Sequence, residues 1–263
     1  MPSLPPSASP QGSRSGSHTN GLRASSAGPR RLWNLYGHCY DAITGLLPYQ
    51  EMLDDVVAAL EVAPVMRVLD AGCGTGVLAE RLAIRCPGIE YLGVDLSSSM
   101  LARARARRPW PPSFTFVEGN LDDVLAANVA GFDRIASVNV IWTLPDPRAT
   151  LGRMTKALRP AGRMVHTTPR LAFRAHAIVW RHLRAQKGWA LGRALLGLPW
   201  LGVAGLLNLF LVAQSVLRAR APRSRQRWQE DGLVSLLQDA GAAPRLARPC
   251  YAGQGHLLVA ERD

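Results

Sequence analysis

The sequence has few cysteines, and it lacks the residue groupings that bind metals. Cys39, Cys73, Cys86 and Cys250 show no CxxC spacing, which is typical of zinc ligands and redox pairs. No cluster of Asp, His and Glu indicates a catechol-type metal site. We therefore expect no metal centre and no disulfide framework, and we expect a reducing compartment such as the cytoplasm.

Acidic residues are absent from a long central segment. Between Pro147 and Gln229 there is no Asp or Glu, whereas 14 Arg and 2 Lys fall there, and the whole chain carries a formal charge of +12. Such an uneven charge distribution predicts an acidic partner surface.

The amino-terminal 30 residues lack periodic apolar positions. They contain 8 Ser, 5 Pro and 4 Gly, a composition that cannot offset the entropy lost on ordering. There is no apolar core of a secretory signal and no amphipathic helix of a transit peptide, although the segment is free of acids and contains three arginines. We expect residues 1–30 to be a disordered tail and 31–263 to form one domain, because 263 residues with 48% apolar content can bury a full core.

Strand and helix periodicities alternate through the middle of the chain. This pattern is typical of an α/β fold with a parallel sheet covered by helices on both faces. Pro48 suits the first turn of a helix that carries Met52, Leu53, Val56, Val57 and Leu60 on one side. Strands are predicted at 66–70, 90–94, 114–118, 132–138 and 163–167, with helices at about 76–85, 98–107, 121–129 and 149–158; a helix at 232–240 and strands at 246–249 and 255–261 follow.

Three alternating glycines follow the first predicted strand. Residues 68–76 read VLDAGCGTG, and Asp95 ends the second apolar run. Glycines allow a sharp turn from strand to helix and let a ligand touch the main chain, while a carboxylate can accept hydrogen bonds from both hydroxyls of a ribose. The spacing differs from the GxGxxG fingerprint of dinucleotide sites, so the ligand is expected to be a different nucleoside compound.

With these residues the chain resembles the class I S-adenosylmethionine-dependent methyltransferases of small-molecule, quinone or lipid type. Further segments resemble the family in the same order, at 96–101, 116–121, 132–139 and 158–165. The resemblance implies a Rossmann-like methyltransferase fold: a seven-stranded, mostly parallel sheet with helices on both faces and an antiparallel hairpin closing it. It also implies S-adenosyl-L-methionine as the cofactor.

The resemblance assigns roles to the residues of the cofactor site. Asp70 is expected to hold the glycine loop and the amino end of the cofactor, and Asp95 to bind the ribose, with helix capping beside Ser97 as the alternative for Asp95. Cys73 lies in the loop and is expected to face the cofactor. Around the methionine part and the adenine the resemblance places Gly72, Gly74, Gly76, Leu96, Met100, Asn120 and Leu121.

Three of these positions allow more than one interpretation. Met100 either flanks the adenine or belongs to the core. Asn120 stands where the family usually has an acid, and its amide oxygen can still accept from the adenine amino group. Asn139, at the end of the fourth strand, either lies between cofactor and acceptor or serves as a turn residue.

An apolar insertion separates the fifth strand from the last helix. It spans residues 171–227, and no residue between Ala194 and Leu217 is charged, a stretch that includes Trp200. That length could span a bilayer, but a single span would separate the last helix and strands from the sheet that they complete. Because arginines flank the segment on both sides, we expect a helical insertion that contacts an anionic membrane surface from the cytoplasmic side. The alternative is a hydrophobic lid on the domain or a dimer contact.

The amino-terminal segment and two histidines are further candidates at the acceptor side. Tyr36 and Tyr40 either close over the sulfonium by cation–π attraction or pack a helix onto the core. If the acceptor is a hydroxyl or a carbon acid, methyl transfer needs a base, and the candidates are His166 and His38. A lone histidine with no identifiable partner is also a common structural residue.

These observations predict methyl transfer to a small, apolar or lipid-like acceptor. One alternative is a catalytically silent, membrane-associated scaffold with the same fold. A nucleic-acid methyltransferase is a minor alternative, because the fourth strand is followed by Asn139-Val-Ile-Trp142 and not by the NPP-aromatic or DPPY tetrapeptides of that class.

Overall fold

The computed structural model describes Trp33 and residues 40–170, 173–187, 202 and 229–263. The tail at 1–30, the candidates Tyr36, His38 and Trp200, and most of the insertion at 171–227 lie outside the described residues. Within them, the predicted α/β architecture is confirmed.

Seven strands form a single sheet in the order β3-β2-β1-β4-β5-β7-β6. β1 to β5 run parallel to one another, and β7 runs antiparallel to both β5 and β6. The predicted seven-stranded, mostly parallel sheet with a closing antiparallel hairpin is therefore confirmed. The strands are β1 (Arg67–Ala71), β2 (Glu90–Asp95), β3 (Phe114–Glu118), β4 (Phe132–Val138), β5 (Leu158–Pro169), β6 (Ala243–Cys250) and β7 (Gly255–Glu261).

The helices begin at residues whose chemistry favours a helix start. Pro48 lies in the first turn of the first helix, as predicted. Ser97 and Asp146 accept hydrogen bonds from the backbone N–H groups of Met100 and Ala149, which caps two further helices. The helices are α1 (Leu47–Leu60), α2 (Val77–Arg85), α3 (Ser98–Ala106), α4 (Leu121–Ala127), α5 (Pro147–Ala157), α6 (Ala175–Ala185) and α7 (Glu230–Asp239).

Alternate residues of the strands face two separate hydrophobic layers. Val68 and Val165 pack with residues of α1, α2, α3 and α6, whereas their neighbours Leu69 and Met164 pack with α4, α5 and α7. Because side chains of a strand point alternately to its two faces, both faces of the sheet are buried under helices.

Two strands are longer than the sequence predicts. β5 runs from Leu158 to Pro169, whereas the sequence predicts a strand at 163–167; its pairing with β4 shifts register between Phe132 and Arg134, and Ala161 has a positive φ of 58°. β6 contains Pro244 and Pro249, which normally argue against a strand. It tolerates them because it is the edge strand and pairs only with β7.

The order of the strands places a crevice above β1 and β4. After β1 the chain moves outward to β2 and β3, and it then returns to the other side of β1 to form β4. The carboxyl ends of strands at such a switch point are the usual ligand site of open α/β sheets. Asp70, Gly72 and Asn139 all lie there.

Candidate active site

The glycine loop is held against β2 by its own backbone. The N–H groups of Gly72 and Cys73 both donate to the carbonyl of Val94, over 2.8 and 3.0 Å. Gly72 has a φ of +82°, and a Cβ at this position would lie 2.4 Å from Cγ2 of Val140. A side chain here would therefore meet both backbone strain and a steric clash.

Asp95 fixes the other end of the same loop. Its carboxylate accepts the N–H of Gly74 over 2.9 Å and the N–H of Ser97 over 2.8 Å. Burial raises the pKa of Asp95, while the backbone hydrogen bonds act in the opposite direction. Ser97, and not Asp95, caps α3. Each carboxylate oxygen keeps a second lone pair, so the group can still accept ribose hydroxyls.

Asp70 is buried at the end of β1, next to the loop. Tyr91 donates its hydroxyl to the Asp70 carboxylate over 2.7 Å. Burial raises the pKa of Asp70 to about 7, since the hydrogen bond from Tyr91 only partly opposes the cost of desolvation and the nearby Asp95 adds to it. A positively charged ligand beside Asp70 would favour the ionised form.

The segment before α1 is attached to the glycine loop by Asp41. The carboxylate of Asp41 accepts the hydroxyl of Thr75 over 2.7 Å, forms an ion pair of 2.8 Å with Arg107 and a longer one of 3.3 Å with Arg103. This group of four residues, which we call the Asp41 clasp, brings Tyr40 to within 3.6 Å of the position that a Cβ of Gly74 would occupy. The cavity that remains there measures about 20 Å³, which is room for about one water molecule.

Three tyrosines and a phenylalanine form an aromatic wall beside this cavity. The hydroxyls of Tyr40 and Tyr49 are hydrogen-bonded over 2.8 Å. Tyr49 makes edge-to-face contacts with Tyr40 and with Tyr251, at centroid distances of 6.4 and 5.7 Å, and Phe173 lies 5.9 Å from Tyr251. Burial raises the pKa of Tyr40 to about 12, so its hydroxyl stays protonated at neutral pH.

Sequence reasoning found Tyr40 but missed the rest of the wall and the clasp. Tyr49 follows Pro48 on the apolar side of α1, and it reads as core. Tyr251 lies in the β6–β7 turn and carries no motif. Asp41 belongs to the run of residues that contains Tyr36 and Tyr40, and its acid next to an aromatic was an available signal.

The residues predicted around the adenine are split between surface and core. Leu96 is half-buried at the crevice, whereas Met100 and Leu121 are buried. Asn120 is exposed, and its side-chain oxygen accepts the N–H of Asp122 over 3.0 Å as the cap of α4. A contact between this oxygen and an adenine amino group would have to share the oxygen with the cap.

Asn139 lies at the end of β4 in the left-handed region, with a φ of +57°. Its N–H donates to the carbonyl of Thr167 over 3.0 Å, and its side-chain oxygen accepts the hydroxyl of Thr167 over 3.3 Å. These bonds are those of a turn residue that ties β4 to β5. The same turn places Val140 against Gly72, so Asn139 shapes the crevice through the backbone.

The position of His166 argues against its predicted role as a base. The residue is fully buried between Ser137 and Leu258 of the neighbouring strands, and neither ring nitrogen has a hydrogen-bond partner. Burial lowers the pKa of His166 to about 3, so the ring is neutral at physiological pH and a poor proton acceptor. In addition, Val165 packs on the face of the sheet that α1, α2, α3 and α6 cover. Because side chains alternate along a strand, His166 points to the opposite face.

The thiol of Cys73 also differs from the expectation. A Cβ on Gly93 would lie 2.9 Å from its sulfur, which shows that the side chain turns away from the loop surface and packs onto β2. Burial raises its pKa well above the ordinary value. Only the backbone of Cys73 is left to face a ligand.

Among the residues that the structure describes, no group of three or more His, Cys, Asp or Glu side chains could hold a metal ion. Within the same residues, no helix has the length and apolar character needed to cross a membrane.

Comparison with known proteins identifies the domain. A family model described as a methyltransferase domain matches residues 68–162, from β1 to the start of β5. The trans-aconitate 2-methyltransferase of Deinococcus radiodurans is 34% identical over 115 residues, 44% of this chain and 42% of that protein. The ubiquinone biosynthesis O-methyltransferase of Alkalilimnicola ehrlichii is 26% identical over 152 residues, 57% of this chain and 60% of that protein. The chain thus spans about half the length of these curated relatives.

Solved structures show the same fold over most of the chain. The magnesium protoporphyrin IX methyltransferase of Synechocystis, solved with bound S-adenosylhomocysteine, has a TM-score of 0.59 at 18% identity, covering 89% of this chain and 98% of that one. The N-methyltransferase NodS of Bradyrhizobium japonicum has a TM-score of 0.54 at 15% identity, covering 87% and 98%. At these identities the likeness shows the fold alone.

Residues 68–162, which contain the glycine loop, Asp70 and Asp95, match the family described as a methyltransferase domain, and the sheet has the fold of solved methyltransferases. The cofactor that this match implies is S-adenosyl-L-methionine. The residues present fit this cofactor, since the buried Asp70 and the partly buried Asp95 offer carboxylates to a sulfonium nucleoside, and Gly72 adds no side chain to the loop.

We predict that cofactor affinity depends on the ionisation of Asp70. Between about pH 5.5 and about pH 8, the affinity for S-adenosylmethionine should rise with pH through the pKa of about 7, because the cation binds the carboxylate form. Asp70→Asn should weaken binding and flatten this slope, as measured by titration calorimetry. A slope that persists in the variant would assign the pH dependence to another group.

The same shift has the opposite sign for stability without cofactor. Since the folded-state pKa of Asp70 lies above its unfolded value of 3.8, the stabilisation is present at low pH and is lost as pH rises through about 7. Asp70→Asn should therefore remove part of the decline in unfolding free energy between about pH 4 and about pH 8.

We predict that Asp95→Asn weakens cofactor binding by about tenfold or more. The variant keeps the size of the side chain but loses a charged acceptor, and hydrogen bonds to charged groups contribute about 1.5–3 kcal/mol. Asp239→Asn, on an exposed part of α7, is the matched control and should bind as the wild type does. Equal affinity of the Asp95 variant and the wild type would contradict the assigned role.

Proposed function

We propose that this protein transfers the methyl group of S-adenosylmethionine to a small, apolar or lipid-like acceptor, and that it works at an anionic membrane surface. The observation that carries the proposal is the junction of two surfaces at one cavity. The glycine loop and the carboxylate of Asp70 line one side, and Tyr40 and Tyr49 of the aromatic wall line the other.

When bound, the cofactor supplies a carbon that its positive sulfur has already activated for displacement. The task of the protein is then alignment and the exclusion of water. Gly72 and Gly74 allow close approach, Asp95 and Asp70 hold the polar ends, and Tyr40 covers the loop. Aromatic faces also attract a sulfonium by about 0.5–2 kcal/mol.

The wall favours an apolar acceptor over a polar one. Tyr49 and Tyr251 are buried, and the ring of Tyr251 also contacts Phe173. The Tyr40 and Tyr49 hydroxyls are hydrogen-bonded to each other, which uses one of their two protons. Since His166 is buried on the other face, an acceptor atom that is nucleophilic without help from this histidine fits best.

The names of the curated relatives are consistent with small-molecule methylation. One is a trans-aconitate 2-methyltransferase and the other a ubiquinone biosynthesis O-methyltransferase. A small organic acceptor for this chain is our extension from these relatives, and the apolar character comes from the wall.

The membrane part of the proposal rests on charge and exposed aromatic surface. Residues 173–187 contain three arginines and one lysine but no acid. Trp180 is 60% exposed and Phe173 is 38% exposed in this stretch. Cations and aromatics together favour the interface of an anionic bilayer, where each cation near the surface contributes about 1 kcal/mol.

We predict that methyl label from S-adenosylmethionine enters the organic-soluble pool. Purified protein would be incubated with labelled cofactor and fractionated extract, and the label would be counted after solvent extraction. Asp95→Asn should abolish most of the transfer, and Asp239→Asn should leave it unchanged. Label confined to the aqueous or nucleic-acid fraction would contradict the acceptor class, and no cofactor binding at all would favour the silent scaffold.

We predict that the protein floats with vesicles that contain anionic lipid and not with neutral vesicles. A double variant, Arg174→Gln with Lys187→Gln, should reduce flotation because it removes two surface cations from the basic stretch. Arg85→Gln with Arg108→Gln, away from this stretch, is the control for net charge. Equal flotation of wild type and double variant would contradict the membrane assignment. It would not affect the proposed methyl transfer.

A further inference from the structure

A groove runs along α6 on the outside of the aromatic wall. It encloses about 640 Å³ between α6, the start of α1 and the β6–β7 turn. This volume falls in the range of small-molecule sites. The lining residues are Leu47, Ala177, Trp180, Arg181, Arg184, Ala185 and Ala252.

Most of the groove surface is apolar, with one available positive charge. Arg181 is neutralised by a bidentate ion pair with Glu51, in which two guanidinium nitrogens donate to the two carboxylate oxygens over 2.7 and 3.1 Å. Arg184 has no ion pair with any residue in the described part of the chain, and its guanidinium lies over the ring of Trp180 at 5.3 Å from the centroid. Stacking on an aromatic ring fixes the plane of a guanidinium while its N–H edge stays available to an oxyanion.

The groove lies next to the residues of the aromatic wall along the chain. Leu47 of the groove lies two residues before Tyr49 of the wall, and Ala252 follows Tyr251. Tyr49 and Tyr251 touch edge to face at 5.7 Å, so one pair of rings separates the groove from the cavity. A molecule that filled the groove from Arg184 to Leu47 and Ala252 would end next to these rings.

We infer that this groove binds the body of an anionic amphiphile, with its acidic head received by Arg184 and its apolar part along Trp180 and Leu47. The chemistry of the site defines the ligand class: an apolar chain or ring system that carries one carboxylate or phosphate. That this amphiphile is also the methyl acceptor rests on the proposed function. The binding site itself does not.

Fluorine NMR of protein labelled with 5-fluorotryptophan tests the site directly. The chain contains seven tryptophans, and Trp180→Phe identifies the Trp180 signal by its loss. The probes are decanoate, decyl phosphate and the neutral decanol, each below its micelle concentration. Decanoate and decyl phosphate should shift the Trp180 signal, and decanol should bind about tenfold or more weakly, since charge-assisted bonds to the guanidinium are lost.

Arg184→Gln should remove the preference for the two acids while keeping weak binding of decanol. Arg108→Gln is the matched control, because Arg108 also stacks on a tryptophan, Trp110, at 5.9 Å but lies outside the groove. This control should keep the full preference.

Several outcomes would overturn the inference. Equal affinity of decanol and decanoate for the wild type would show that the groove does not recognise an anionic head. An unchanged preference in Arg184→Gln would show that Arg184 does not bind that head. A Trp180 signal that responds to phosphatidylglycerol vesicles but to none of the monomeric probes would make this surface a membrane contact and not a ligand groove.

The proposed function can fail independently of this site. Asp95→Asn should lose cofactor binding and still show the decanoate shift at Trp180. Decanoate binding that depends on Arg184, together with an absence of methyl transfer, would leave the groove standing and refute the enzymatic role.

Discussion

The bond from Gly74 N–H to the Asp95 carboxylate is the interaction on which the rest of the site depends. It joins the turn after β1 to the end of β2, next to the paired bonds that Gly72 and Cys73 make to Val94. These bonds stabilise the left-handed backbone conformation of the turn. With them, the main chain stays open to a ligand; α2 begins directly after this loop, and α3 begins three residues after Asp95.

The two carboxylates of the site differ in their hydrogen-bond donors and therefore in how easily they ionise. Asp95 receives backbone N–H donors, which support its ionised form, whereas Asp70 has one phenol partner and a pKa near neutrality. The protein therefore holds a charge that is costly until a cation arrives. Active sites commonly give up stability in this way, because the group that is unfavourable alone is favourable in the complex.

Much of the fold was predictable from the sequence, because apolar strand periodicity, the glycine turn and Pro48 act locally. β6 was partly hidden, since Pro244 and Pro249 oppose a strand unless it lies at an edge, and edge position depends on the whole sheet. The aromatic wall was beyond local reasoning: Tyr49 and Tyr251 meet only after the sheet has closed. No local signal shows that His166 is enclosed by the neighbouring strands, and that burial decides its chemistry.

The Asp41 clasp makes exchange of the cofactor and its product sensitive to salt concentration. While Tyr40 lies against Gly74, the cavity beside the loop measures about 20 Å³, so we expect the Asp41 ion pairs to open when a sulfonium compound enters or leaves. The Asp41 and Arg107 side chains are 38% and 21% exposed, and dissolved salt weakens such pairs. If product release limits turnover, moderate ionic strength would therefore raise the turnover rate. It would also shorten the residence time of the demethylated cofactor.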